Sequence, residues 1–112
     1  MSQQVYSKEL FKDEVLIAGG TATSVIIDVN AIHPLGQFAT QLKIVGNGEV
    51  KVELYSSING ESFVPYVELW EEMTAGEYIE NHAFVVATKL KIVITETGGN
   101  DGATVSLWLG VQ

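Results

Sequence analysis

The chain has 112 residues, enough for one domain with its own core, and its composition of 46% hydrophobic and 18% charged residues is typical of a globular protein. It has no cysteine for disulfides or thiolate metal sites, and no apolar run of about 18 residues that would span a membrane. The net charge is −8 and all six cations are lysines. Nucleic-acid binding is therefore not expected, because phosphate and guanine recognition favour arginine and a duplex would repel an acidic protein.

The N-terminal part of the chain is polar at first and then apolar. Residues 1–10 lack the layout of a secretory signal and are predicted to form a flexible arm, followed by one folded domain over residues 11–112. Short strands are predicted at 14–18 and at 24–29, the second with Val25, Ile27 and Val29 on one face. Residues 30–36 contain proline and glycine and are predicted to form a loop.

The middle of the chain predicts strands separated by glycine turns. Strands are expected over 38–45 and 49–56, joined by a hairpin turn at Gly46-Asn-Gly48. A second hairpin turn at Asn59-Gly60 leads to an edge or irregular strand that contains Pro65. Alternating apolar side chains in the two strands are predicted to point to the core: Phe38, Leu42, Ile44, Val50, Val52 and Leu54.

The last part of the chain has the clearest alternation. Residues 68–76 favour a loop or broken strand, and a short strand is predicted at 83–87. Two further strands, at 88–96 and 103–111, are predicted to form a half-buried antiparallel hairpin through residues 97–102, with the last strand in the core rather than in a tail. Their inward residues are predicted to be Leu90, Ile92, Ile94, Val105, Leu107, Leu109 and Val111.

These patterns together predict the fold class. Seven to nine short strands, with a turn about every ten residues and no convincing long helix, indicate two packed antiparallel sheets. The expected fold is an all-β antiparallel β-sandwich, of jelly-roll or immunoglobulin-like type.

The sequence contains no convincing catalytic or metal-binding motif. His33 and His82 are the only histidines and nothing places them together, and no serine lies in a nucleophile-elbow motif. The adjacent Glu71 and Glu72 would point to different faces, which is a poor arrangement for shared acid–base chemistry. Gly98-Gly-Asn-Asp-Gly102 resembles a calcium loop in composition only, and the geometry of the predicted hairpin explains its glycines. We therefore expect no catalytic residue, no metal, no cofactor and no enzymatic activity.

Acidic side chains are concentrated in the middle of the chain. Eight glutamates lie between residues 49 and 80, where Lys51 is the only cation. This stretch is interpreted mainly as a solvated face, with an acidic patch that steers a basic partner as the alternative.

The aromatic residues are the remaining candidates for a binding surface. Trp108 is out of phase with the predicted inward residues of its strand, so its side chain is expected on the outer face. Contact with another protein or subunit, cover by a loop of the same chain, and ligand binding all remain open for it. Trp70, Tyr66 and Tyr78 are an alternative glycan-binding row, although core positions are the default expectation.

Several segments over about residues 23–112 also resemble one group of proteins. They are Ile27-Asp-Val29, the strand Phe38–Val45, Gly46–Glu53, Tyr55-Ser-Ser-Ile-Asn-Gly60 with Phe63, Lys89–Gly99 and Trp108-Leu-Gly-Val-Gln112. Their arrangement resembles small β-sandwich virion structural proteins of tailed bacteriophages. Residues 66–87 match no pattern of that group.

The resemblance implies a non-enzymatic capsid decoration (cement) protein. Such a protein would be made in the host cytoplasm, become part of the virion, and bind the major capsid protein on the outer head surface as an oligomer, often a homotrimer. Trp108 is then the candidate for oligomer or partner contact, and Trp108→Ala is expected to shift the oligomer toward monomer. A tail or fibre component fits nearly as well, and a carbohydrate-binding module is the competing class. Neither a membrane nor a nucleic acid is an expected partner.

Overall fold

The computed structural model describes residues 6–28, 37–83 and 88–111. These residues form nine strands and no helix. A helix long and apolar enough to cross a membrane is therefore absent from the described residues. In chain order the strands are β1 (Tyr6–Leu16), β2 (Thr21–Thr23), β3 (Ile27–Asp28), β4 (Gln37–Gly46), β5 (Val50–Ser57), β6 (Val64–Met73), β7 (Gly76–Ala83), β8 (Lys89–Glu96) and β9 (Ala103–Val111).

The strands form two antiparallel sheets. The first sheet has the order β1-β9-β4-β7 and the second has the order β2-β8-β5-β6, with β3 also paired to β8. The apolar faces of the two sheets meet in one core. The predicted all-β antiparallel sandwich is therefore confirmed.

Two of the three predicted hairpins are wrong. β8 and β9 belong to different sheets, and so do β4 and β5, so the loops at 97–102 and 47–49 are arches that cross from one sheet to the other. A strand alternates in the same way whether its successor lies beside it or faces it across the core, so alternation does not distinguish the two arrangements. The turn at Asn59-Gly60 does join paired strands, β5 and β6, as predicted.

Three arches meet at one end of the sandwich, which we call the arch end: the β1–β2 loop (17–20), the β4–β5 loop (47–49) and the β8–β9 loop (97–102). Backbone hydrogen bonds join them directly. The Gly48 N–H donates to the Gly102 carbonyl at 3.1 Å, the Glu96 N–H to that of Gly20 at 2.9 Å, and the Thr97 N–H to that of Glu49 at 2.8 Å. The arches therefore support one another instead of projecting separately into solvent.

The predicted core side chains of the four central strands are buried where the structure describes them. They are Leu42, Ile44, Val50, Val52, Leu54, Leu90, Ile92, Ile94, Val105, Leu107 and Leu109. The side chains of Phe38 and Val111 lie outside the described set, as does Val29. Ile27 is buried as predicted, but Val25 is 55% exposed, because β3 is only two residues long and regular alternation does not reach position 25.

The prediction of a flexible arm over residues 1–10 is wrong for residues 6–10. These residues belong to β1, which begins eight residues before the strand predicted at 14–18 and pairs with β9 from Tyr6 onward. Pairing satisfies the backbone of β9 on its second side, and Leu10 packs against the core. Residues 1–5 lie outside the described residues.

Residues 64–83 form two strands, β6 and β7, where the sequence predicted a loop or broken strand over 68–76. Alternation is lost in β6 because its pairing with β5 shifts register three times and Glu72 has a φ of +36°. As a result the neighbouring Leu69 and Trp70 are both buried. The loop predicted at 30–36 and most of the strand predicted at 83–87 lie outside the described residues.

Candidate functional site

The outer face of the first sheet, the side turned away from the core, carries Trp108. In the β-sheet register, Trp108 lies opposite Glu9 of β1 and Gln41 of β4, and Gln41 lies opposite Ile79 of β7. Trp108 is half-buried, whereas Leu107 and Leu109 beside it in sequence are buried in the core. Its position on the outer face is as predicted from its phase.

A shallow groove lies beside the indole ring, and we call it the Trp108 groove. The next row of the sheet places the small residues Ser7, Gly110 and Ala39 side by side, so the surface is low there. The groove has a volume of about 230 Å³. Its lining residues are Ser7, Ala39, Thr40, Gln41, Ile79, Trp108, Leu109 and Gly110. Trp108 and Ile79 are the large apolar side chains around it, and Gln41 and Ser7 offer polar groups.

The same face has a second apolar area closer to the arch end. Val15 and Val45 flank Thr104 in one row and are 73% and 56% exposed, and Ile79 beside the Trp108 groove is 74% exposed. A polar row lies between the two areas. In this row the Ser106 hydroxyl donates a hydrogen bond to Asp13 Oδ1 at 3.3 Å. Exposed apolar side chains repeated on one face are typical of contact surfaces.

The proposed glycan-binding row of Trp70, Tyr66 and Tyr78 is not formed. Trp70 is only 7% exposed and belongs to the core, whereas Tyr66 is 60% exposed. Tyr78 packs against the core, with its ring centroid 5.8 Å from that of Trp70. The core position that was the default expectation is confirmed for Trp70.

Trp70 instead joins the two sheets through a buried polar cluster. Its Nε1 donates to Thr40 Oγ1 at 2.9 Å, and Thr40 Oγ1 lies 2.8 Å from His82 Nε2. The Trp70 and His82 rings also meet edge to face, with centroids 6.2 Å apart. Because Trp70 is on β6, Thr40 on β4 and His82 on β7, the cluster closes one side of the sandwich.

Burial lowers the pKa of His82 below its usual 6.5, and the nearby Glu80 carboxylate opposes this shift only in part. The neutral imidazole is therefore favoured in the folded state. Its stabilising effect is complete above pH 6.5 and is lost as the pH falls through the lowered folded pKa. We expect the midpoint temperature of thermal unfolding to fall as the pH decreases from 6.5 through the lowered pKa of His82. The decrease should be smaller in His82→Gln, which does not titrate, and equal pH profiles for the two proteins would contradict this assignment.

Glu96 is the most strongly perturbed acid that the structure describes. Its carboxylate accepts backbone hydrogen bonds from all three arches, with Gly19 and Gly99 donating to Oε1 at 2.9 and 2.8 Å. The N–H groups of Glu49 and Gly98 donate to Oε2 at 2.8 and 2.9 Å. These donors lower the pKa of Glu96 to about 2.

This role of Glu96 was missed by sequence reasoning, although a signal for it was present. Glu96 continues the inward phase of Leu90, Ile92 and Ile94, and a carboxylate in that phase needs partners. The glycine loop that resembles a calcium loop in composition supplies two of them, because the Gly98 and Gly99 N–H groups point to the carboxylate. No cluster of three or more potential metal-ligating side chains occurs within the described ranges, and His33 lies outside them.

The acidic stretch is spread over β5, β6, β7 and their connections. Glu68 of β6 lies opposite Glu53 of β5. Glu53 Oε1 forms a salt bridge with Lys51 Nζ at 3.6 Å. Partial desolvation, followed by the neighbouring Glu71 carboxylate, raises the pKa of Glu68. Glu71 and Glu72 are both exposed. Carboxylates therefore line the β6 side of the second sheet as far as the structure describes it.

No protein-family model and no curated protein matches the sequence. Solved structures share the fold at low identity. The Yersinia pseudotuberculosis-derived mitogen is 10% identical, with a TM-score of 0.58 and coverage of 97% of this chain and 86% of that one. PirA is 10% identical, with a TM-score of 0.52 and coverage of 99% and 94%. VP2 of the infectious bursal disease virus subviral particle is 18% identical, with a TM-score of 0.53, and the match covers 97% of this chain but 32% of VP2.

Proposed function

We propose that the protein is a non-enzymatic structural component of a virus particle, a capsid decoration protein that binds the outer head surface as an oligomer. The observation that carries this proposal is the outer face of the first sheet, where the Trp108 groove lies near the exposed Ile79, Val15 and Val45. This face belongs to a four-stranded sheet whose other side packs against the core. Such a surface suits contact with another folded protein.

Two further observations support a structural role. The fold is similar to part of VP2 from the infectious bursal disease virus subviral particle, and this similarity supports a role in a particle. Two polar clusters in the described residues also have structural roles. The hydrogen bonds to Glu96 hold the loops of the arch end together, and the hydrogen bond from Trp70 to Thr40 joins the two sheets. A particle component with many copies benefits from this rigidity, because each binding event then orders few additional groups.

The test is to find the protein in particles. Virions are purified on a density gradient. Quantitative mass spectrometry then measures the amounts of this chain and of the major capsid protein in them. The proposal expects a fixed ratio between them and recovery with heads rather than with separated tails. A fixed ratio with tails alone would favour the tail or fibre alternative, and absence from particles would reject the proposal.

Trp108→Ala is expected to weaken binding to heads that lack the protein by about 30-fold, which corresponds to about 2 kcal/mol for a buried aromatic anchor. The fold should be retained, because the indole is on the outer face rather than in the core. Co-sedimentation of the purified protein with such heads measures the effect. Ile58→Ala is the control, since Ile58 is an exposed apolar side chain in the β5–β6 turn, away from the outer face of the first sheet. Equal binding by both variants would remove the groove from the contact.

Carbohydrate binding is the second candidate function, because the Trp108 groove combines an indole with the polar groups of Gln41 and Ser7. An indole face stacks on a pyranose ring, and amide and hydroxyl groups bind its hydroxyls. A glycan array, probed with the parent protein and with Trp108→Ala, tests this function. Binding that depends on Trp108, together with absence from particles, would replace the first proposal.

A further inference from the structure

The two sheets differ in how their open edges are protected against pairing with another chain. In the second sheet, β6 contains Pro65, shifts register three times against β5, and carries Glu68, Glu71 and Glu72. Proline, bulges and like charges all prevent strand addition. The outermost described strands of the first sheet are β7 and β1. β7 contains no proline and no register shift, whereas β1 has two register shifts, both after Glu9.

β7 is a regular strand that ends the described sheet. All eight of its residues pair with β4 without a register shift. Its charged residues are Glu77 and Glu80, and it has no lysine. A regular edge strand offers its free backbone groups to another strand, and its two carboxylates favour a partner strand that carries cations.

The opposite edge of the same sheet offers such a partner. β1 carries Lys8 and Lys12 together with Glu9, Asp13 and Glu14, and Lys8 is the cation of its regularly paired first part. The ion pair within the described part of the chain is Lys51–Glu53. In that part, the two lysines of β1 and the two glutamates of β7 therefore form no ion pair. Neighbouring strands alternate in direction across the sheet, so β7 and β1 run in opposite directions. β7 of one copy beside β1 of the next would therefore continue an antiparallel sheet.

We propose that copies of this chain self-associate by pairing β7 of one copy with β1 of the next, with Glu80 opposite Lys8 of the neighbour. The inference deepens the self-association that forms part of the proposed function. In this register Asn81 meets Ser7 and Ile79 meets Glu9. The pairing uses the segment 6–9, which precedes the register shifts of β1.

The rows of the sheet support this register. Within one chain, Lys8, Leu109, Thr40 and Glu80 lie opposite one another in a single row, and Ser7, Gly110, Ala39 and Asn81 form the next. Glu80 opposite Lys8 of the neighbour continues each row without a shift along the strands. A head-to-tail contact without such a shift closes into a ring where the rotation between copies closes, and otherwise builds a filament. The size of this ring rests on the proposed function, which implies a trimer.

Cysteine cross-linking tests the register directly, because the chain has no cysteine of its own. Ser7 and Asn81 are both exposed on the outer face. Within one chain they are three strand spacings apart, about 14 Å, which is too far for a disulfide. The double variant Ser7→Cys/Asn81→Cys is therefore expected to give disulfide-linked trimers on non-reducing gels after mild oxidation.

The control for cross-linking is Ser7→Cys/Glu77→Cys, which places the second cysteine four residues away on the same strand and face. It should remain largely monomeric on the gel. Equal cross-linking of the two double variants would overturn the register. Covalent dimers from Ile79→Cys alone would overturn the proposal in favour of β7 pairing with β7 about a twofold axis.

A charge exchange provides the second test. Lys8→Glu and Glu80→Lys alone should each raise the concentration at which the oligomer dissociates by about tenfold, and the combined variant should restore the parent value. Mass in solution by light scattering is the readout, with β-sheet circular dichroism as the check on folding. Glu61→Lys, an exposed change in the β5–β6 turn, should have no effect.

The outcomes separate this inference from the proposed function. An oligomer that neither cross-links nor responds to the charge changes would overturn the β7–β1 contact and leave the decoration role standing. A parent protein that stays at its monomer mass of 12.1 kDa at high concentration would overturn self-association altogether. Absence from particles, with the cross-links intact, would reject the decoration role alone.

Discussion

Glu96→Gln is expected to lower the unfolding midpoint more than any other glutamate-to-glutamine change among the described residues. The carboxylate accepts four backbone N–H groups, two on each oxygen. Glutamine keeps one oxygen and replaces the other with an NH₂ group, which cannot accept a hydrogen bond from an N–H donor. Two donors at the arch end then lose their partner, and the negative charge that all four donors favour is lost as well.

Thermal unfolding followed by circular dichroism measures this effect. Glu61→Gln is the matched control, because Glu61 is exposed and its side chain accepts none of these four hydrogen bonds. Similar midpoints for the two variants would show that the arch end does not depend on the Glu96 carboxylate.

The same substitution has a defined pH dependence. The folded pKa of Glu96 is about 2, against an ordinary value of 4.5, so the folded state favours the ionised form. The contribution of Glu96 to stability is complete above pH 4.5 and is lost as the pH falls toward 2. The difference in midpoint between the parent and Glu96→Gln should therefore narrow over this range. A constant difference would contradict the shifted pKa.

Gly102→Ala is expected to destabilise the fold by about 3 kcal/mol, through a clash with backbone that cannot move freely. A Cβ atom at this position would lie 2.5 Å from the carbonyl oxygen of Leu16. Both segments are held in place, Leu16 by its pairing with Ala103 and Gly102 by the hydrogen bond from the Gly48 N–H. Relief of the clash must therefore separate the β1–β2 arch from the β8–β9 arch.

Urea unfolding of Gly102→Ala and of Gly99→Ala separates this clash from general glycine effects. Gly99 lies in the same loop with a φ of +80° and has no atom within 4 Å of the added Cβ. Alanine there carries only the cost of the left-handed conformation, about 1 kcal/mol. Equal destabilisation by the two variants would show that close packing at Gly102 is unimportant.

Part of the surface chemistry could be predicted from residue phase, and part could not. The position of Trp108 on the outer face follows from the alternation of β9 alone. The groove beside it does not, because Ser7, Gly110 and Ala39 come from three strands that only the sheet brings together. The glycan-binding row failed for a related reason, since the register shifts of β6 turn Trp70 to the core.

The sequence by itself determined the fold class and the buried faces of the central strands. Alternation is a property of each strand alone, so Leu42, Val52, Ile92 and Leu107 show their inward direction whatever lies beside them. Which strands are neighbours was decided only by the tertiary structure. Two expected hairpins are arches, and residues 6–10 are ordered by pairing with β9. The function of Glu96 also depends on donors from three separate loops, because long-range pairing and shared hydrogen bonds leave no local periodicity in the sequence.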